Sequence, residues 1–176
     1  MAQGMVWSEW VDESPFELRF CSPWLNYDGS GGPGTKVNFC GLKSIDFAVL
    51  PPDNFDSALY LLEVKSQEWF YNGKGTLEEK VCDLFRCYFD SLATIARSKD
   101  ETIADFREAA ANGRIKLILF LAPRLPGEHN LMALMDGIRT KLAKKLKHLD
   151  VQPEVMVETL ETVKRERGLL FDARRK

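Results

Sequence analysis

The chain has 176 residues, of which 45% are hydrophobic and 28% charged, and a formal net charge of −2. That composition excludes a disordered chain and suits a single compact domain, residues 1–176, with a real buried core. The longest apolar run, Ile115 to Ala122, is too short to span a bilayer, and MAQGMVWSEWVDES lacks the basic start and apolar stretch of a secretion signal, so a cytoplasmic protein with no membrane partner is expected.

Taken in chain order, Val6 to Phe20 is rich in aromatic residues and interrupted by Pro15, which predicts a short helix followed by an extended segment, ELRF. The glycine-rich Tyr27 to Lys36, YDGSGGPGTK, predicts a loop. Two strand-like runs follow, Lys36 to Leu50 and Ala58 to Ser66, separated by the turn chemistry of PPDNFDS. After a polar bridge, WFYNGKG, the residues Val81, Leu84, Phe85, Tyr88, Leu92 and Ile95 recur at helical steps. They predict a helix from Thr76, its capping residue, to about Ala96.

A shorter helix is expected over Glu101 to Ala111, ended by Asn112-Gly113. IKLILFLA, Ile115 to Ala122, reads as a strand buried on both faces. Leu131, Leu134, Met135, Ile138, Leu142, Leu146 and Leu149 mark a further amphipathic helix. A last strand is expected near Glu154 to Val157, and the basic tail VKRERGLLFDARRK is expected to fray. The order gives an α/β fold, a sheet flanked by helices.

The four cysteines form no CxxC pair, which predicts reduced thiols, and His129 and His148 are too isolated to found a metal site. Charge is unevenly spread. Residues 1–88 carry a balance of −6 and residues 89–176 a balance of +4. An acidic half suited to cations beside a basic half suited to phosphates fits nucleic-acid chemistry. GSGGPGTK is set aside as a phosphate-binding loop. Thr35 separates Gly34 from Lys36, and a strand-like run follows where a helix N-terminus is required. It is expected beside the cleft.

The chemistry-bearing set lies on the two strand-like runs. If Leu50 faces Leu59 in a hairpin, Asp46 falls opposite Glu63, and alternation places Lys65 on the same face. The opposite face then collects Ile45, Phe47 and Val49 with Tyr60, Leu62 and Val64. Two carboxylates can hold Mg²⁺ or Mn²⁺ against a scissile phosphate, and a neighbouring lysine can position water or offset growing charge.

Asp46, a turn, and then Glu63-Val64-Lys65 on the next strand resemble the signature of the PD-(D/E)xK nucleases, the restriction-endonuclease-like class. The resemblance covers about residues 36–122, leaving a basic helix and tail at 128–176. Ile45 stands where that family carries proline. It implies that Asp46 and Glu63 bind metal, that the Val64 carbonyl assists, and that Lys65 is the catalytic lysine. It also implies a first helix carrying a further acid, for which Glu9, Glu13 and Glu17 are the candidates.

Gln67, read as continuing the Glu63/Lys65 face, and Lys80 on the following helix are candidate substrate contacts. So are Lys144 and Lys145 on the basic side of the later helix, with Arg139, Lys141 and Lys147 around them. The expectation is a Mg²⁺- or Mn²⁺-dependent nuclease acting on nucleic acid, DNA ahead of RNA, in restriction, repair or defence. It would work alone, as a homodimer or with a protein partner. The alternative is a catalytically inactive nuclease-like module that binds nucleic acid or a protein.

Overall fold

The computed structural model describes residues 8–13, 15–21, 23–26, 35–36, 44–52, 58–72, 74–112, 114–122, 131–147, 154–162 and 171–176. Its strands are β1 (Val11–Glu13), β2 (Phe16–Phe20), β3 (Trp24–Asn26), β4 (Thr35–Lys36), β5 (Phe47–Val49), β6 (Leu59–Ser66), β7 (Ile115–Ala122), β8 (Glu154–Glu158) and β9 (Phe171–Arg175). Its α-helices are α1 (Gln67–Asn72), α2 (Leu77–Arg97), α3 (Ala104–Ala111) and α4 (Leu131–Leu146), with a 3₁₀ turn at Glu101–Ile103. The fold is mixed α/β with two sheets.

The larger sheet has six strands in the order β4-β3-β5-β6-β7-β8. β5 pairs antiparallel with β3 and β6, whereas β6, β7 and β8 run parallel. Parallel neighbours need a crossover, and α2 with α3 supplies it between β6 and β7. β7 is apolar almost throughout because both of its faces are covered. Ile115, Leu117, Leu119 and Leu121 join a cluster with Val81, Leu84 and Tyr88 of α2 and with Ile138 and Leu142 of α4. Ile118, Phe120 and Ala122 face the other way, into a second cluster.

A three-stranded antiparallel sheet, β1-β2-β9, covers that second face. Phe16 stacks on Phe120 with ring centroids 4.4 Å apart, and Phe20 lies 5.2 Å from Phe47. The molecule is therefore layered as helices, large sheet and small sheet. Here two expectations are corrected. Residues 11–13 are a strand where an opening helix was expected, whereas ELRF is extended as expected and lies in β2, and the tail, expected to fray, supplies β9. FELRF and FDARR each alternate, so Phe16, Leu18, Phe20, Phe171 and Ala173 turn inward. Outside, Arg19 pairs with Asp172 at 2.7 Å and Glu17 with Arg174 at 2.5 Å.

The remaining elements follow their local chemistry. The polar bridge after β6 is partly helical, since α1 takes up Trp69 to Asn72. α2 starts where expected. Thr76 caps it in a reciprocal box with Glu79, each side chain accepting from the other's backbone N–H, at 2.6 and 3.3 Å. Among the described residues no helix is long and apolar enough to cross a membrane. Cys21, Cys82 and Cys87 are thiols. Cys40, both histidines and the loop from Tyr27 to Gly34 lie outside the described residues.

Candidate carboxylate–lysine site

The β5–β6 register pairs Phe47 with Leu62, Ala48 with Leu61 and Val49 with Tyr60. Continued by one residue, it sets Asp46 opposite Glu63, which is the register expected from the sequence. Ala48, Leu59 and Leu61 pack on the helix side of the sheet, so by alternation Glu63 and Lys65 share that side. Asp46 and Glu63 are 5% and 2% exposed. Lys65 keeps 25% of its side chain accessible, and its Nζ forms an ion pair with Glu63 Oε1. Burial alone pulls the Lys65 ammonium down, but Glu63 and then Asp46 together outweigh it, so its pKa is raised.

Asp46 does more than face Glu63. Its Oδ2 accepts the backbone N–H of Val64 at 2.6 Å. The chain bends at Asp46, one residue before β5 begins. Phe47, Val49, Tyr60, Leu62 and Val64 pack toward the small sheet as expected. Ile45 does not, and this corrects its expected place. It joins the helix-side cluster, and its N–H donates to Ser91 Oγ of α2 at 3.0 Å. Alternation fails there because the extended strand has already ended.

The roof over the carboxylates is α2. Tyr88 is fully buried, and its hydroxyl donates to the Ile118 carbonyl at 2.9 Å. Burial pushes this phenol well up, and Glu63 and Asp46 add to the effect. The sequence carried a signal for this arrangement. Leu84, Tyr88, Ser91 and Ile95 follow one helical stripe, all buried, and Ser91 is the polar exception within it. A small hydroxyl on an apolar face needs a partner, and here it is the Ile45 amide.

The other candidates divide. Lys80 is 4% exposed, and its ammonium donates to the Trp69 carbonyl. The Trp69 ring lies 5.8 Å from Lys65 Nζ and 5.5 Å from Lys80 Nζ, so the two lysines flank one residue of α1. Gln67 is buried, but β6 ends at Ser66 and Gln67 opens α1, so it does not continue the strand face.

Lys144 is exposed on α4. Lys145 instead meets Glu78 of α2 at 2.7 Å, with Lys141 on the other oxygen at 3.0 Å. These two hydrogen bonds draw the Glu78 carboxyl down to about 2. Part of the basic side of α4 is thereby neutralised, Arg139 included, which pairs with Asp136 at 3.1 Å.

No acid from the N-terminal segment joins Asp46 and Glu63. The expected first helix is absent from residues 11–20, and Glu13 and Glu17 belong to the small sheet, across the large sheet from the carboxylates. Glu9 is exposed and adjoins Ser8, which is bonded to Phe20 of β2. Among the described residues no three His, Cys, Asp or Glu side chains are grouped to hold a metal. Among the described residues the donors at the site are the Asp46 and Glu63 carboxylates and backbone oxygen. Comparison with protein-family models, curated proteins and solved structures finds no match to this chain.

Proposed function

We propose that the protein is a metal-dependent phosphodiesterase, a nuclease of the restriction-endonuclease-like kind acting on DNA ahead of RNA. The observation that carries this reading is the β5–β6 register, which sets Asp46 opposite Glu63 with Lys65 on the same face. The order of elements supports it: an antiparallel hairpin, a helix over the carboxylates, then a buried strand parallel to β6. Restriction, repair and defence are the settings that this chemistry serves.

The donor set fits Mg²⁺ or Mn²⁺, which prefer hard oxygen ligands. Asp46, Glu63 and the Val64 carbonyl would hold the ion. When bound, it supplies Lewis acidity at the phosphoryl oxygen. The rest falls to the protein. Glu63 and Asp46 favour the charged form of Lys65, which suits it to offset negative charge. Its ammonium would exchange Glu63 for a phosphoryl oxygen as negative charge grows there. Trp69 and Lys80 would border the same phosphate from α1 and α2. α2 excludes bulk water from the carboxylates, which strengthens every charge interaction beneath it.

One observation favours a second reading, a non-catalytic nuclease-like module. The burial of Asp46 and Glu63, with Lys65 already paired, describes a closed site. The test is incubation of the wild type with single- and double-stranded DNA and RNA in Mg²⁺, in Mn²⁺ and with a chelator. The nuclease reading expects cleavage that chelation stops and that Glu63→Gln lacks. Intact substrates in both metals would leave only the binding module.

A further inference from the structure

We infer that Ser91 is a positioning residue for the metal site, acting by diverting one hairpin hydrogen bond; the inference rests on the metal-dependent reading above. The argument begins with the direction of backbone groups in β6. Leu59 N–H donates to Arg114 O, on the β7 side of the strand. Backbone groups of successive strand residues point to opposite edges, so Val64 turns both its N–H and its C=O toward β5. Its N–H indeed meets Asp46 Oδ2.

In an unbroken antiparallel ladder the partner of Val64 is Ile45, by the same register that pairs Phe47 with Leu62. The two residues would exchange both N–H···O bonds. Instead, Ile45 N–H is committed to Ser91 Oγ, and Val64 N–H to the Asp46 carboxylate. The ladder therefore opens by one rung at the place where Asp46, Glu63 and Val64 converge. Ser91 is 1% exposed, so water does not compete for the Ile45 amide. The diversion holds Ile45 on the helix side, beside the bend at Asp46, and leaves the Val64 carbonyl, on the β5 side of its strand, without the Ile45 amide as its ladder donor.

Remove the serine oxygen and the Ile45 amide has one obvious acceptor, the Val64 carbonyl. The rung would close and a metal donor would be lost. Ser91 touches neither metal nor substrate. Its effect passes through Ile45 and Val64, as the supporting groups around metal ligands do, whose loss weakens metal affinity about 10- to 100-fold.

The test is Mn²⁺ titration of the intact chain, wild type against Ser91→Ala, with backbone amide exchange measured at Ile45 and Val64. The expected result is a Mn²⁺ Kd raised about tenfold or more in Ser91→Ala. Ser91→Cys, which keeps a weak acceptor of similar size, should lie between, and it serves if the alanine variant fails to fold. Phe171→Ala, a destabilising change across the large sheet, should leave the Mn²⁺ Kd unmoved and so separate positioning from general loosening. Wild-type binding with unaltered affinity in both Ser91 variants would overturn the inference while leaving the metal site standing. Absence of Mn²⁺ binding by the wild type would overturn the metal-dependent reading itself, and this inference with it.

Discussion

Asp46 holds two positions in one side chain: it faces Glu63, and it replaces a ladder acceptor for Val64 N–H. Substitutions should separate them. Asp46→Asn keeps an oxygen for Val64 and relieves carboxylate crowding, so its stability should fall within about 1 kcal/mol of the wild type. Asp46→Ala strands a buried amide and should lose about 1–3 kcal/mol. Urea unfolding of the pair measures the difference, and both variants should lose metal affinity. Lys65 offers a second check. Its folded pKa is raised, so the stability it contributes is fully present below the ordinary lysine value of 10.5 and is lost as pH climbs through the higher folded value. Glu63→Gln removes the largest opposing influence and leaves burial, so the Lys65 pKa should drop. An NMR titration of the lysine side-chain carbons reads that shift, and an unchanged Lys65 would contradict the pairing. The triad of residues was readable because alternation and turn length are local properties. The exit of Ile45 was not, because it depends on a serine 46 residues further along.

At the scale of elements, α2 organises the site, and its start is fixed locally. Gly75 adopts a positive φ of 106°, and Thr76 and Glu79 cap each other. Thr76→Ala should lower stability by about 1 kcal/mol, measured as a shift in the urea midpoint. Glu78 in the same first turn clasps α4 through Lys141 and Lys145. Its carboxyl is depressed to about 2 from 4.5, so the clasp is present above the ordinary glutamate value and is lost as pH falls toward 2. Because the Glu78 side chain is about half exposed, salt should weaken the clasp, and an NMR titration of Glu78 should move toward the ordinary value in Lys145→Ala. The helices α2 and α4 were legible from periodicity, α3 from its Asn112-Gly113 stop and β7 from its almost unbroken apolar run. What periodicity could not show was that the basic stripe of α4 has an acidic partner, since that pairing spans 63 residues.

The whole molecule is a large sheet held between helices and a small sheet, and the small sheet joins β2 to β9, strands far apart in the chain. β2 and β9 pair across some 150 residues, and their aromatic side chains press on β7. Composition alone gave the tail a basic, fraying character. The alternation of Phe171 and Ala173 with charged neighbours becomes meaningful only beside Glu17 and Arg19. Phe171→Ala should cost about 3–5 kcal/mol, visible as a lower unfolding midpoint, because it empties space beside Phe20 and Phe120. The small sheet thus stabilises the scaffold from the face opposite the carboxylates. The most direct measurement of the central claim is the cleavage rate of wild type and Lys65→Ala in saturating Mn²⁺, with nucleic-acid binding measured separately. The account predicts that Lys65→Ala binds nucleic acid nearly as well as the wild type and cleaves at least 100-fold more slowly, because the lysine acts on the transition state. Wild-type cleavage that survives Lys65→Ala undiminished would contradict it.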